Sequence, residues 1–236
     1  MSVTVINPSV KLIGFTDVNY EWDDSDPESE PHILGMEAEI VSSADDLAEF
    51  AGRACYQSFH KPNEYTRANF DYMANIIRQG HESVLEHASA TFYIEGVSRA
   101  FTHELIRHRH LSYSQLSQRF VDEGRRAVTI PPALRDTLAA DLLLMKADEA
   151  FDTYEEIVNS LSHLPRKQAR EAARAVLPTC TETKIVVTGN MRAWRDTLRK
   201  RLDPAADAEI REVSQMILKE LDILAPASFQ DLTQPE

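Results

Sequence analysis

Residues 88–107 read ASATFYIEGVSRAFTHELIR, and the spacing of their apolar side chains changes once along the stretch. Residues 88–95 alternate apolar and polar side chains, the period of two that predicts a β-strand with one buried face. Gly96 is expected to end this strand, and residues 98–107 then predict a helix that carries Arg107 near its C-terminal end. A strand followed closely by a helix predicts a fold that mixes α and β structure.

Helical periodicity continues on both sides of this stretch. Gly80 closes the second of two helices predicted before it, and Pro178 stops one of those that follow. Residues 133–163 contain neither Pro nor Gly and space their apolar side chains by three and four, as in the seam of a helix packed on another helix. Further helices are predicted at residues 45–55, 68–79, 166–177, 191–202 and 206–224.

The remaining segments predict strands, turns and loops. Residues 17–31 hold seven acids and no Lys or Arg, which predicts an exposed acidic loop. Residues 112–119 predict a polar turn or a short helix, and Gly189 with Asn190 predicts a turn. Strands or extended segments are predicted at residues 3–13, 36–41 and 184–188. The whole chain, residues 1–236, is expected to form a single domain.

The composition predicts a soluble protein. The chain is 43% hydrophobic and 27% charged, ordinary values for a globular domain, and contains no run of about 18 apolar residues that would span a membrane. Residues 1–15 lack the basic start and apolar core of a signal peptide, so we expect a cytoplasmic location. Cys55 and Cys180 are the only cysteines, and both are expected to be small buried hydrophobes.

The charges are unevenly distributed along the chain. The net charge is -13, yet residues 107–126 hold five Arg against two acids, and residues 163–201 hold ten Lys or Arg against three acids. An acidic protein with two local basic segments suits small phosphorylated ligands, because a nucleic-acid binder would present a broad basic face. Two solvated helix faces would give the same charge pattern, so charge alone leaves both interpretations open.

Two classes of hydrolase are disfavoured by spacing. His103 and His108 are five residues apart, whereas a zinc helix needs histidines at i and i+4 on one face, so no metal site is expected. Ser112, Ser114 and Ser117 lack the Gly-x-Ser-x-Gly turn of a nucleophilic hydrolase.

Residues 107–119, RHRHLSYSQLSQR, are instead rich in hydrogen-bond donors. Guanidinium groups, hydroxyls and amides match phosphate oxygens and pyrimidine carbonyls, although an exposed helix end with solvated arginines would have the same residue types. The order of the residues is more specific. It resembles the signature RHR-x7-S-x-R of flavin-dependent thymidylate synthases, the ThyX family. Three other segments resemble blocks of that family in the same order: HESVLEH at residues 81–87, ARAVLP at residues 173–178 and the run from Asn190 to Arg201.

The resemblance implies an α+β fold with long helices packed on an antiparallel-type sheet, and reductive methylation of dUMP to dTMP. Methylene-tetrahydrofolate would supply the carbon, and FAD reduced by NADPH would supply the hydride, without a covalent enzyme nucleophile. It also implies a homotetramer with shared active sites, from a bacterium or a virus, although a helix bundle within one subunit would explain the seam equally well. The alternative is a non-catalytic nucleotide- or RNA-binding relative.

The resemblance also assigns site residues, with Arg201 as the catalytic residue, its cation stabilising charge on the uracil. The dUMP ligands would be Glu104, Leu105, Ile106, Arg107, Gln115, Leu116, Ser117, Gln118, Arg119, Arg174 and Arg201. The FAD contacts would be His81, Ser83, Glu86, Arg107, His108, Arg109, Gln115, Asn190, Met191, Arg192 and Asp196. Asp196 departs from the family, because relatives commonly have a neutral or basic residue there. An ion pair between Asp196 and Arg192, four residues earlier, is the simpler expectation.

Overall fold

A computed structural model describes residues 3–18, 20–21, 32–33, 44–60, 66 and 68–233. The strand predicted at residues 36–41 and most of the acidic loop predicted at residues 17–31 lie outside the described residues. Along the described residues, every helix is too short or too polar to span a membrane.

The fold is built on a four-stranded sheet whose neighbouring strands are all antiparallel. The strand order is β2 (Ser9–Phe15), β5 (Ser89–Ser98), β8 (Glu182–Asn190) and β6 (Ser112–Gln115). Two short pairs lie outside this sheet: β1 (Thr4–Val5) pairs with β7 (Ala127–Val128) in parallel, and β3 (Tyr20–Glu21) pairs with β4 (His32–Ile33). The antiparallel sheet confirms the fold class.

The described part of the chain contains eight α-helices. They are α1 (Ala44–Tyr56), α2 (Asn69–Gln79), α3 (Arg99–Leu105), α4 (Leu138–Ser160), α5 (Arg166–Ala173), α6 (Met191–Arg201), α7 (Ala208–Leu224) and α8 (Pro226–Thr233). Short 3-10 helices occupy Glu82–Glu86, Glu123–Arg125, Pro132–Leu134 and Arg174–Val176. The helices predicted at residues 45–55, 68–79, 191–202 and 206–224 are confirmed to within about two residues, whereas α8 was not predicted.

The core lies on one face of the sheet. Phe92 on β5 is fully buried and meets Trp194 of α6 edge to face, with ring centroids 5.2 Å apart. The opposite face of the sheet is half-exposed and polar, and Thr91 and Thr188 share a hydrogen bond there. The alternation that predicted β5 therefore separates a buried face from an open one.

Gly96 does not end β5, contrary to the prediction. The strand continues to Ser98, and the register with β8 shifts between Ile94 and Val97. Gly96 has φ 69°, and a Cβ there would lie 1.9 Å from the carbonyl oxygen of Asn7. Only glycine fits this left-handed position, so Gly96 forms a bulge that lets the strand continue.

Three further predictions need correction. Residues 112–115 form strand β6 at the sheet edge, where Tyr113 pairs with Val187, so the polar turn or helix predicted there was wrong. Gly189 and Asn190 complete β8 instead of forming a turn, and the Asn190 side chain then caps α6 by accepting from the Ala193 amide. A helix was predicted at residues 166–177, but α5 ends at Ala173 and Arg174–Val176 forms a 3-10 helix.

Helix α4 begins later than predicted, at Leu138, because Pro132–Leu134 forms a separate 3-10 turn. Its predicted seam is confirmed at Ala147, Phe151 and Tyr154, which are buried. Ala147 and Phe151 pack with Val128 and Cys180, and α4 also contacts α5 of the same chain. Among the cysteines, Cys180 is buried as expected, but Cys55 is exposed.

Candidate active site

The C-terminal end of α3 is the point where the motif residues meet. The helix ends at Leu105, and the chain turns through Arg107 and His108 into β6. The Tyr113 hydroxyl donates to the carbonyls of Leu105 (2.8 Å) and His108 (2.7 Å), which fixes the turn. Burial raises the pKa of Tyr113 to about 12, so the phenol keeps the proton that it donates.

Arg201 reaches this turn from the C-terminal end of α6. Its Nε donates to Nε2 of His108 at 2.8 Å, and its two terminal nitrogens donate to the Glu104 carboxylate (2.9 Å) and carbonyl (2.7 Å). The Arg201 side chain is 14% exposed. Helix α3 and the turn after it therefore supply the polar partners that a largely buried arginine needs.

His108 is held neutral by its surroundings. Burial, and then the positive charge of Arg201, lower the pKa of His108 to about 4. A neutral imidazole that accepts a hydrogen bond at Nε2 carries its proton on Nδ1. At neutral pH, His108 therefore orients Arg201 as an acceptor and adds no charge.

A cleft of about 570 Å³ opens on one side of this turn. Five cations and three carboxylates line it, and most of these charges are paired. Glu86 contacts Arg192, Glu82 accepts from Arg199 at 2.7 Å, and Asp196 accepts from Lys200 at 2.7 Å. The full lining is Glu82, Glu86, Arg107, His108, Arg109, His110, Asn190, Arg192, Ala193, Asp196, Thr197, Arg199 and Lys200.

A smaller cavity of about 340 Å³ lies on the other side of α3. Arg99 and Arg174 both line it, and neither forms a close ion pair with a carboxylate among the described residues. Burial lowers the pKa of Arg99, Glu123 opposes this shift, and the like charge of Arg174 adds to it. The other lining residues are Thr102, His103, Ile106, Gln115, Gln118, Leu177, Pro178 and Thr179. Two guanidinium groups facing a polar cavity can bind a phosphate.

The residues predicted to bind dUMP surround the smaller cavity and the end of α3. Ile106, Gln115, Gln118 and Arg174 line the cavity. Glu104 holds Arg201, and Arg107 lies 3.6 Å from Glu104. Arg119 pairs with Glu171 at 3.5 Å.

The Leu105 side chain is 2% exposed and belongs to the core, and the Leu116 carbonyl accepts from Arg99. The Ser117 carbonyl accepts from the amides of Phe120 and Val121.

Most residues predicted to contact FAD line the larger cleft: Glu86, Arg107, His108, Arg109, Asn190, Arg192 and Asp196. His81 precedes the 3-10 helix that bears Glu86 and Ser83 lies within it; both are exposed, but neither lines the cleft. Gln115 lines the smaller cavity, where its amide donates to Thr102 at 2.8 Å. Met191 is 1% exposed, so its side chain belongs to the core and only its backbone is available to a ligand.

The predicted pair between Arg192 and Asp196 is not formed. Arg192 reaches across the cleft to Glu86, and Asp196 pairs with Lys200 at the next helical turn. Within α6, Asp196 has a basic residue at i,i+4 spacing on either side, Arg192 and Lys200, so sequence spacing could not choose between these two partners.

Several residues of the site were not predicted. Arg99, Tyr113 and Lys200 contribute to the cavities or to the turn between them. The alternation of Ser112 and Ser114 with Tyr113 and Gln115 was the available signal for Tyr113, because it places Tyr113 and Gln115 on one face of a strand. Across the described residues, no group of three or more His, Cys, Asp or Glu is arranged to hold a metal ion.

The sequence matches known proteins over most of its length. Residues 39–227 match the family described as "Thy1: Thymidylate synthase complementing protein". A protein of Mycobacterium phage L5, named a probable flavin-dependent thymidylate synthase, is 47% identical over 243 residues, covering 98% of this chain and 95% of the relative. Flavin-dependent thymidylate synthases of Mycobacterium tuberculosis (strain ATCC 25177 / H37Ra) and Mycobacteroides abscessus are 54% and 53% identical, each over 78% of both chains.

Proposed function

The chain belongs to the Thy1 family and is a flavin-dependent thymidylate synthase, and we propose from this premise how its two cavities divide substrate and cofactor. The smaller cavity binds dUMP through its phosphate, the larger cleft binds FAD, and Arg201 acts on the uracil at the turn between them. The opposed pair of guanidinium groups on one side, and the cation-lined cleft on the other, carry this proposal.

The phosphate of dUMP is bound by Arg99 and Arg174. Both guanidinium groups line the smaller cavity, and a dianionic phosphate would offset the like-charge repulsion between them. Ser117 and Arg119 flank Gln118, which lines this cavity, and they complete the phosphate site. Gln115 and Gln118 contribute amides that match the sugar hydroxyl and the pyrimidine carbonyls.

The uracil is activated by Arg201. Charge develops on N3 and the carbonyl oxygens of the uracil as C5 becomes nucleophilic, and a fixed cation stabilises that charge more than it stabilises the neutral ring. The contacts to Glu104 and His108 use one N–H of each of the three nitrogens of Arg201 and leave one on each terminal nitrogen. These two donors suit a carbonyl oxygen of the substrate.

The residues of the larger cleft fit FAD. Arg107, Arg109 and Arg192 supply guanidinium groups suited to a diphosphate, and Asn190 stands at the N-terminal end of α6, where the helix dipole favours an anion. When bound, FAD supplies the hydride that completes the methyl group, with NADPH as its reductant and methylene-tetrahydrofolate as the carbon source. The chain's own residues bind and orient these molecules.

Neither cysteine is placed to attack the pyrimidine. Cys180 is buried, where burial raises the pKa of its thiol, and Cys55 lies on α1, so neither lines a cavity described above. This placement supports a reaction without a covalent enzyme nucleophile.

The chain acts as a homotetramer with shared active sites in the bacterial cytoplasm. An apolar patch on α4 supports assembly: Leu138, Leu142 and Met145 follow helical spacing and are 88%, 56% and 50% exposed. The relatives from mycobacteria and their phages support a bacterial setting. Residues 1–236 form the single domain of each subunit.

An anaerobic assay with dUMP, methylene-tetrahydrofolate and NADPH, with and without FAD, tests the function. We expect dTMP only when FAD is present, and a flavin absorbance band that dUMP perturbs. A colourless protein that takes up no added FAD and forms no dTMP would contradict the proposal and favour a non-catalytic nucleotide-binding protein.

A further inference from the structure

Lys200 forms an exposed ion pair inside the larger cleft. Its ammonium lies 2.7 Å from Asp196, one helical turn earlier on α6, and both residues line the cleft. The Lys200 side chain is 61% exposed. An exposed i,i+4 pair contributes little to stability, so stability alone does not account for a lysine at this position.

The two charges oppose each other at the centre of the site. At His108, the Asp196 carboxylate raises the pKa of the ring, and the Lys200 ammonium lowers it. Asp196 and Lys200 therefore lie in the same part of the cleft as His108. Anything bound beside His108 would experience both charges together.

Asp196 by itself would oppose the binding of a diphosphate. It is one of three carboxylates in the cleft, and Glu82 and Glu86 are each held by an arginine. Only Lys200 is close enough to neutralise Asp196 among the described residues. Removing the ammonium would leave four cations against three carboxylates in the lining.

We propose that Lys200 is a diphosphate-binding residue of the cleft and that it neutralises Asp196, which would otherwise repel the cofactor. The proposal rests on the assignment of FAD to this cleft. A lysine ammonium has three donors on a flexible stem, so Lys200 can keep one contact with Asp196 while a second N–H reaches a phosphate oxygen.

Binding of FAD to the full-length apoprotein, followed by quenching of flavin fluorescence, tests this assignment. Lys200→Gln removes the cation, and we expect the Kd for FAD to rise roughly tenfold, as for the loss of one charge-assisted hydrogen bond. Affinity for riboflavin, which has no phosphate, should stay unchanged. Lys146→Gln is the matched control, because Lys146 is also 61% exposed and pairs with Glu149 at 2.8 Å on α4, outside the cleft.

The double variant Lys200→Gln, Asp196→Asn isolates the neutralising role. It restores the net charge of the cleft but not the lost hydrogen bond, so we expect its Kd for FAD to lie between those of Lys200→Gln and the wild type. A Lys200→Gln variant that binds FAD as well as Lys146→Gln does would overturn the proposal, as would a double variant with no recovery. A wild-type chain that takes up no FAD at all would overturn the proposed function, and this assignment with it.

Discussion

The guanidinium of Arg201 is the single group on which the proposed chemistry depends most. Arg201→Ala removes the cation that is proposed to act on the uracil but leaves the cleft lining intact, because Arg201 does not line it. We expect FAD to remain bound while dTMP formation falls by roughly a hundredfold or more, the usual loss when one preorganised charge-stabilising donor is removed. Flavin absorbance and single-turnover dTMP formation measure the two effects.

Arg201→Lys is the informative companion variant. It keeps the charge but loses the planar fork that contacts Glu104 and His108, so its activity should fall between those of the wild type and Arg201→Ala. Wild-type turnover by Arg201→Ala would refute the catalytic assignment.

Arg99 and Arg174 are predicted to act as phosphate ligands. Replacing either by Ala should weaken dUMP binding by roughly ten- to a hundredfold, since a charge-assisted hydrogen bond is worth about 1.5–3 kcal/mol. Isothermal titration with dUMP gives the Kd. Arg166→Ala is the control, because Arg166 is 74% exposed on α5 and lies outside this cavity. Unchanged affinity in both cavity variants would contradict the phosphate site.

His108 is predicted to make stability depend on pH. Its folded pKa of about 4 lies below the ordinary value of 6.5, so between these values the unfolded chain binds more protons than the folded chain. The contribution of His108 to the free energy of unfolding is therefore fully present above pH 6.5. It is lost as the pH falls towards 4, and the loss is at most roughly 3 kcal/mol.

His108→Asn keeps an acceptor but does not titrate. Between pH 7 and pH 4, the free energy of unfolding should fall less in this variant than in the wild type, as measured by urea denaturation. Parallel pH curves for the two proteins would show that His108 titrates normally in the folded chain.

Single residues differ in how far the sequence identified them. Arg174 and Arg201 were predicted to be site residues because they stand in ordered motif blocks. Arg99 has no such block, and it reaches the cavity only because β8 and the chain after β6 fold against α3. Asp196 was predicted to pair with Arg192, but Arg192 pairs with Glu86 instead. Glu86 is more than a hundred positions from Arg192 in sequence, and only the tertiary fold brings the two together.

Among the elements, α8 is tied to the site by a buried arginine. Arg195 of α6 is fully buried, donates to the Ser228 carbonyl and forms a two-pronged pair with Asp231 at 2.7 and 2.9 Å. Asp45 of α1 also accepts from the amides of Ala227 and Ser228. Helix α8 therefore braces α6, the helix that ends at Arg201.

Asp231→Ala should destabilise the protein by about 3 kcal/mol, because it leaves the Arg195 charge buried with a weaker set of partners. Chemical denaturation measures the loss. Glu156→Ala, an exposed acid on α4, is the control and should change stability by less than about 0.5 kcal/mol. Equal stability of the two variants would show that Glu82, 3.7 Å from Arg195, suffices as its partner.

Element prediction failed where distant partners decide the structure. Strand β6 has four residues, too few for its alternation to outweigh the polar composition, and it exists because β8 offers a free edge. Helix α8 is short and depends on Asp45, about 180 positions earlier. Long elements with an internal period, such as α4 and β5, were found because their own sequence carries the signal.

For the whole molecule, the apolar patch on α4 is predicted to be a subunit contact. Leu142→Glu places a charge in the middle of the patch, and we expect the particle mass measured by light scattering to fall from that of a tetramer. Lys219→Glu, which alters an exposed charge on α7, should leave the mass unchanged. A wild-type monomer, or a Leu142→Glu variant of unaltered mass, would contradict this role.

The three contacts of Arg201 form within the folded chain, before any ligand arrives. Immobilising an arginine costs about 2 kcal/mol of rotamer entropy. In this chain the rotamer entropy of Arg201 is lost when the protein folds, so ordering this side chain adds no further free-energy cost during turnover. Substitutions at Glu104 or His108 that loosen this side chain would therefore trade reaction rate for conformational freedom, and the slowest variants need not be the least stable ones.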